Sequence, residues 1–556
     1  MLDRADNVLL FLEQQMENWE NKISLGIKSY IGWRELTYKG LSILSRRLAG
    51  YLIDKGIDKG DKIAILSESK PEWGATLFAA VLSGTTLIPL DIKLTEYELK
   101  SILNNSSPRI LLCSNTYLEK AKLLKEQIES IEEIIVIDEG CTDKTIQCMY
   151  NIPDTNEKKW RHRSPQQTAF IIYTSGTTGN PKGIEISYKN VMMQVKSISK
   201  CFPMSSKDRL LSILPMNHLF ELSVGFLSFL NMGTAIYYSK SLKPKDLFPI
   251  LSEKEITFMV VVPAFLKLLK SNIETEINQG GLVKKLTFKI LFKIAEIIPS
   301  IKLRKYLFPS IHKKFGGKFR GCLSGGAPLD IDIAKFLETI GIRVYEGYGL
   351  SEASPVVSLN TDGAIKLGSV GKPIPGVEAR IDAETGELLV KGENIMKGYY
   401  NNPELTSEVI DSDGWLHTGD IAKIDDDGFI FITGRIKNMI VLNGGKKVFP
   451  EEVEAILSQS SMFQEVCVVS STRTGGQKDG TEDVAAVIVP KTEIIEQYKD
   501  DKELEHAVRS EVKQLSQQLS AFKRPVRIIV MKDKLPRTAT SKIKRREVKA
   551  LTENKI

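Results

Sequence analysis

The 556-residue sequence holds few of the residues that build metal or disulfide frameworks: five histidines and six cysteines. Cys113, Cys141, Cys148, Cys201, Cys322 and Cys467 are scattered, with no Cys-x-x-Cys pair and no Cys/His ligand spacing. That excludes a disulfide scaffold and a zinc centre, and leaves thiols in a reducing cytosol as the expectation. Long apolar runs are also scarce. The most apolar stretch, Leu222 to Tyr238, falls short of the ~20 residues of a spanning helix and is divided by Asn231-Met232-Gly233. It reads as a buried helix followed by a buried strand. The N-terminus, MLDRADNVLLFLEQQMENWENK, lacks the basic start and uninterrupted apolar core of a secretory signal. There is no internal repeat and no low-complexity linker. With 42% apolar and 26% charged residues, the composition is that of a globular protein of more than one domain.

Charge is modest overall, at +7, but unevenly placed. Between Gly281 and Arg320 stand eleven lysines and arginines against one acid, Glu296. Within LVKKLTFKILFKIAE, helical spacing puts Lys285, Lys289 and Lys293 on one stripe and Val283, Leu286, Ile290 and Ile294 on another. Phe288 and Phe292 flank the basic stripe. A basic, aromatic amphipathic helix suits an anionic membrane surface. The alternative is a packed helix pair with a solvated basic face. Nucleic acid is not expected, because no reader motif accompanies the charge.

From Lys62 to Ser114 the pattern alternates: KIAIL and TTLIPL and RILLC read as strands, PEWGATLFAAVLSG and TEYELKSILNNS as helices. Pro71 suits a first helical turn and Gly84 a helix stop. Such βαβαβ alternation predicts mostly parallel, helix-covered sheets, and FMVVVPAFLKLL and FRGCLSGGAPLD continue it. After about Gly376 the texture changes. ARIDAETGELLVKG and IAKIDDDGFIFITGRI carry turn residues between alternating strands, which predicts an antiparallel subdomain. The expected fold is therefore a large α/β N-terminal domain, residues 1–436, followed by a small mobile α+β domain, residues 437–556.

One segment, YTSGTTGNPKG at 173–183, sits between two predicted strands. Gly176, Gly179 and Gly183 free the backbone to turn its N–H groups on a ligand. Thr174, Ser175, Thr177 and Thr178 add hydroxyls and Lys182 an ammonium, which together describe a phosphate site rather than a plain surface hairpin. A Walker A loop is excluded, because Pro181 precedes Lys182 and Gly183 follows it.

The string resembles the phosphate loop of the adenylate-forming superfamily: acyl-CoA synthetases, peptide-synthetase adenylation domains and luciferases. Further motifs of that family follow in order, namely LSGGAPL (323–329), EGYGLSEASP (346–355), GWLHTGD (414–420), GRIKNMIVLNGGKKVFPEEVE (434–454) and PRTATSKIKRREV (536–548). The resemblance implies that a carboxylate attacks the α-phosphorus of ATP, and that a thiol then displaces AMP. It implies that the 173–183 loop holds the departing pyrophosphate, and that Glu352, with Thr174, holds Mg²⁺. Gly325, Gly326 and Ala327 would form the adenine-side turn, with Tyr348 and Gly349 beside it and Ser351 reaching the α-phosphate. Asp420 would take the ribose hydroxyls, helped by Arg435, although TGD is also ordinary turn chemistry. Lys437 would be the hinge between half-reactions, and Gly444, Gly445 and Lys446 would face the thiol tunnel. Lys542 would be the catalytic lysine, although Ser541 replaces the family's usual glycine before it.

For the acyl group, His218-Leu219-Phe220-Glu221 resembles a segment of long-chain acyl-CoA synthetases, with His218 placed at the chemistry or, alternatively, in the core. Glu221 could instead grip an amino group, as an acid does in peptide synthetases. The apolar LFELSVGFLSFL and FMVVVPAFLKLL could line a tunnel or an ordinary core. The expected substrates are ATP, a long-chain fatty acid and coenzyme A, in a cytoplasmic enzyme with peripheral membrane contact through 281–320. Coenzyme A is expected as the thiol since only eight residues follow Val548, and ENKI does not match a peroxisomal address. Two other readings stand: a fatty acyl-AMP ligase or acyl-carrier-protein synthetase, and a non-catalytic nucleotide- or fatty-acid-binding homologue.

Overall fold

The structure is a computed structural model, and it describes residues 14–29, 32–141, 143–154, 160–161, 163–174, 181–202, 204–442, 446–472, 482–498, 500–537 and 543–552. The predicted alternation is present as strands Lys62–Leu66, Thr86–Pro89 and Ile110–Cys113, with helices Pro71–Ser83 and Glu96–Ser106 between them. These short strands are buried almost throughout, as parallel strands with both faces covered by helices must be. Pro71 opens its helix where a missing N–H costs nothing, and Gly84 ends it in the left-handed conformation at φ +72°. Every residue of Pro71–Ser83 is buried. Gly74 makes this possible, because a Cβ there would lie 2.6 Å from the Phe226 ring.

The three strands sit in an eight-stranded sheet ordered Gly398–Tyr399, Lys182–Ser187, Thr168–Thr174, Thr86–Pro89, Lys62–Leu66, Ile110–Cys113, Glu133–Val136, Gln147–Cys148. It is parallel from Thr168–Thr174 onward and antiparallel at the Lys182–Ser187 end. A nine-stranded sheet carries Arg343–Gly349, Gly321–Ser324, Phe258–Val261, Arg209–Ser212, Ala235–Tyr238 and Ile23–Ser29 as parallel neighbours. Antiparallel strands Val356–Leu359 and Gly32–Thr37 flank that run.

Both sheets belong to a first compact unit, Met1–Ala379 with Val390–Leu416; the second comprises Arg380–Leu389 and His417–Ile556. The hairpin of Leu416–Ile424 and Ile430–Arg435, placed within 1–436 by the sequence reading, thus lies in the second unit apart from Leu416. Its last strand packs against the start of helix Pro450–Leu457, where a Cβ on Gly434 would meet the Phe449 side chain at 2.8 Å. The rest of that unit is a sheet of Phe463–Thr472, Glu482–Pro490 and Arg527–Val530. Strand alternation sends Val468, Ala486 and Ile488 to one face with Val508 and Val512 of helix Asp501–Leu515. Cys467, Ala485 and Val487 go to the other, with Val548.

The 222–238 stretch is a buried helix followed by strand Ala235–Tyr238, but the helix is π-wound over Phe220–Ser228. Among the described residues, no helix is long and apolar enough to cross a membrane. The basic segment forms helices Gly281–Ile297, Ile301–Leu307 and Pro309–Lys314. Here one expectation is corrected. Phe288 and Phe292 are not surface aromatics beside the lysines; they pack inward on Phe308 and Phe336, with ring centroids 5.5–6.3 Å apart.

Candidate active site

The phosphate-loop segment hangs on an antiparallel pair in the first unit. Thr174 stands opposite Lys182 and Tyr173 opposite Gly183. Ser175, Gly176, Thr177, Thr178 and Gly179 lie outside the described residues. Gly183 is required by packing, since a Cβ there would come within 2.8 Å of Ile171 and 3.1 Å of the Tyr173 ring. On the far side of Lys182–Ser187 runs Gly398–Tyr399, and the Tyr400 N–H donates to the Gly183 carbonyl at 2.7 Å.

That neighbour strand ties the loop to the acidic motif. The Tyr399 hydroxyl donates to Glu352 Oε1 at 2.9 Å, while Lys182 Nζ lies 5.8 Å from the centre of the Tyr399 ring. The Met396 N–H donates to the Glu352 carbonyl at 2.8 Å. Burial, reinforced by the Glu352 charge, pushes the Tyr399 phenol up, so it remains a donor. The Tyr399 phenol thus lies between the Lys182 ammonium and the Glu352 carboxylate, which come from two separate motifs.

Tyr348 and Gly349 end strand Arg343–Gly349, and Ser351 and Glu352 form the single 3₁₀ turn Ser351–Ala353. All four are half-buried. Gly349 is fixed by close approach, because a Cβ would lie 1.9 Å from the Pro355 carbonyl oxygen. The glycine turn Gly325-Gly326-Ala327 follows strand Gly321–Ser324. Gly325 is buried under the Phe220 ring, where a Cβ would lie at 3.0 Å, while Gly326, at φ +82°, and Ala327 are exposed. Leu329, just beyond, donates its N–H to Glu346 Oε1 at 3.3 Å. Burial raises the Glu346 carboxyl to about 7.

His218 is half-exposed, with Nε2 4.0 Å from Asp91 Oδ2, so it is not a core histidine. Glu221, three residues on, is wholly buried. It accepts from the Ser212 hydroxyl at 2.5 Å, and burial raises its carboxyl to about 8. Buried in the π-wound helix and bonded to Ser212, this carboxyl presents no exposed face to an amino group. LFELSVGFLSFL and the strand Phe258–Val261 are buried, apart from the half-buried Phe220. A cavity of about 250 Å³ does occur in the first unit, among Phe248, Ile273, Ile277, Phe288, Leu291 and Phe315, with Lys284, Lys314 and Glu276 also on its wall.

In the second unit, cross-strand pairing sets Asp420 opposite Arg435, and Arg435 Nε reaches Asp420 Oδ1 at 2.9 Å. Asp420 is buried and Arg435 exposed, so a hydroxyl acceptor and a cationic donor stand side by side. The preceding turn is held by Glu387, which accepts from the Gly419 N–H at 2.7 Å and pairs with His417 Nδ1 at 3.0 Å. Lys437 is exposed in the 3₁₀ turn Ile436–Asn438. Gly444, Gly445 and Lys542 lie outside the described residues.

Sequence reasoning missed Tyr399, Glu346 and Glu387. Glu346 lies inside a quoted motif and Glu387 in a predicted hairpin, but Tyr399 belongs to KGYYNNP, which carries no signal of its own. Among the described residues no three metal-binding side chains cluster. The Glu352 carboxylate and the Thr174 hydroxyl are nevertheless hard oxygen donors of the kind Mg²⁺ takes alongside substrate phosphates.

Residues 12–400 match the AMP-binding enzyme family, and residues 452–542 match the AMP-binding enzyme C-terminal domain. Among relatives, the long-chain-fatty-acid–CoA ligase FadD15 of Mycobacterium bovis is 30% identical over 79% of this chain and 76% of that protein. The 4-coumarate–CoA ligase 1 of Arabidopsis thaliana is 27% identical over 93% and 88%. The crystal structure of ATP-bound MatB from Rhodopseudomonas palustris shares the fold, with a TM-score of 0.79 at 24% identity over 99% of each chain.

Proposed function

The chain belongs to the AMP-binding enzyme family and is an adenylate-forming acyl-CoA ligase, and on that premise we propose that its acid is a long-chain fatty acid and its thiol coenzyme A. In the first half-reaction a carboxylate oxygen forms a bond to the α-phosphorus of ATP, and pyrophosphate leaves. In the second, the thiol sulfur bonds to the acyl carbon and AMP leaves. Charge grows on phosphate oxygens in the first step, so oriented donors and cations contribute most there. Lys182 meets that charge from the edge of the 173–183 loop, and Lys542 is assigned to the bond being made. Glu352, oriented by Tyr399, and Thr174 would hold Mg²⁺, which neutralises the phosphates when bound. Asp420 and Arg435 are assigned to the ribose, and Gly325, Gly326, Ala327, Tyr348 and Gly349 to the adenine side. Ser351 is assigned to the α-phosphate, His218 to the acyl carboxylate side, and Lys437 to the hinge.

The observation that carries the fatty-acid reading is Glu221. Where an amino-acid-activating enzyme presents an acid to its substrate, this chain has a carboxyl that is wholly buried and held by Ser212. The cavity lined by Phe248, Phe288 and Phe315 is a second, weaker support, being largely apolar, with a volume of about 250 Å³. The test is pyrophosphate release with ATP and a panel of fatty acids, 4-coumarate, malonate and amino acids, with thioester formation scored on coenzyme A and on a phosphopantetheine carrier protein. Long-chain acids should lead the panel and coenzyme A should be acylated. Preference for an aromatic or dicarboxylic acid overturns the acyl assignment. Carrier acylation alone gives the synthetase reading, and no pyrophosphate release gives the non-catalytic one.

A further inference from the structure

Helix Gly281–Ile297 has three rows along it, and only one is used by the core. Phe288, Leu291, Phe292 and Ala295 point inward, where the two phenylalanines stack on Phe308 and Phe336. The aliphatic row does not. Leu282 is 86% exposed, Val283 81%, Leu286 62%, Ile290 54%, Ile294 45% and Ile297 84%. Leu303 and Tyr306 of the next helix are likewise exposed. Rolling the helix to bury this row would expose the aromatic one, so its exposure is built into the packing.

Alongside the aliphatic row runs the lysine row, Lys285, Lys289 and Lys293. Lys293 has Glu296 at 3.6 Å, and Lys284 shares Glu276 with Lys314. Lys285 and Lys289, with Lys302 and Lys313 on the following helices, have no acidic partner among the described residues. An aliphatic strip edged by unneutralised lysines on a rigid helix matches the interface of an anionic lipid bilayer. There, apolar side chains enter the acyl boundary and ammonium groups meet phosphates.

We propose that the Gly281–Ile297 helix seats the protein on an anionic phospholipid surface, with Leu286, Ile290 and their row inserted and the Lys285–Lys289–Lys293 row on the headgroups. A second copy of the chain fits the same strip less well. The segment from Gly281 to Arg320 carries eleven cationic side chains against one acid, so two copies facing each other through it would repel. The inference does not rest on the fatty-acid reading, because lipid binding is measured without substrate, and either can fail alone.

The experiment is co-sedimentation of the full chain with vesicles of phosphatidylcholine alone or mixed with phosphatidylglycerol, across a salt series. Binding should require phosphatidylglycerol and weaken with salt. The triple variant K285Q/K289Q/K293Q should lose roughly a hundredfold in partitioning, at about fivefold per lysine. The variant L286Q/I290Q should lose on the order of tenfold or more through its apolar contacts. All these side chains are exposed, so both variants should keep the wild-type melting temperature, which is measured in parallel. Absence of wild-type binding to the anionic vesicles overturns the proposal, as does binding that both variants retain. Analytical ultracentrifugation supplies the remaining arm: a dimer that L286Q/I290Q dissolves, with no vesicle binding, assigns the strip to a second copy and overturns the lipid assignment.

Discussion

Glu221 and Tyr399 show how burial sets the work of a single side chain. The Glu221 carboxyl, raised to about 8 from 4.5, is protonated in the folded chain at neutral pH. Because the folded state holds this proton more tightly than the unfolded one, its contribution to stability is complete below about pH 4.5. It declines as pH rises toward 8. Glu346, raised to about 7, acts in the same direction over a narrower range. Glu221→Gln keeps an acceptor for Ser212 and removes the titration. Its unfolding free energy, measured by denaturation, should match wild type near pH 5 and exceed it at pH 8 by on the order of a few kcal/mol. Equal free energies at both values would mean that the carboxyl ionises without cost. For Tyr399, the Phe variant keeps the ring near Lys182 and loses only the bond to Glu352. A hydrogen bond to a charged group is worth about 1.5–3 kcal/mol, so Tyr399→Phe should lower kcat/KM for ATP roughly tenfold to a hundredfold in pyrophosphate release. Tyr399→Leu, which also loses the ring, should cost more.

Individual elements were legible where a period or a punctuating residue marked them. The alternation from Lys62 to Cys113, the Pro71 start and the Gly84 stop are all where the pattern placed them, because short buried strands and capped helices are local phenomena. The outward turn of the Gly281–Ile297 aliphatic row was not legible. Its sequence offers an aliphatic and an aromatic row of equal merit, and the choice is made by Phe308 and Phe336, which lie farther along the chain. The site divides in the same way. Motif residues such as Glu352 and Asp420 announce themselves by spacing, whereas Tyr399 becomes visible only when Gly398–Tyr399 pairs with Ile184 and Glu185. Gly349 belongs to this scale, since two strand ends close around it. A Cβ there would sit 1.9 Å from a backbone oxygen that no rotamer change can move. Gly349→Ala should therefore destabilise by about 2 kcal/mol or more, seen as a lowered thermal midpoint along with lost pyrophosphate release. Retention of both would mean that the Val356–Leu359 strand shifts freely.

At the scale of the whole molecule, the chain distributes its chemistry over two compact units. Lys182, Tyr348, Glu352 and Tyr399 belong to the first; Asp420, Arg435 and Lys437 to the second. A two-step reaction run by such a chain makes a sharp demand on Lys542, which is assigned to the making of acyl-AMP and to nothing after it. The Lys542→Ala variant should lose pyrophosphate release almost entirely, since one well-placed donor is worth about 2.7–4 kcal/mol of transition-state stabilisation. The same variant, given synthetic acyl-AMP and coenzyme A, should form thioester at close to the wild-type rate. Lys437→Pro supplies the converse. Fixing the backbone at a hinge restricts the rotation between steps, so this variant should make acyl-AMP and fail to consume it. If Lys542→Ala slows both halves equally, the lysine acts on binding common to the two steps and not on the bond to phosphorus. If Lys437→Pro leaves thioester formation intact, the pivot between half-reactions lies elsewhere than at Lys437.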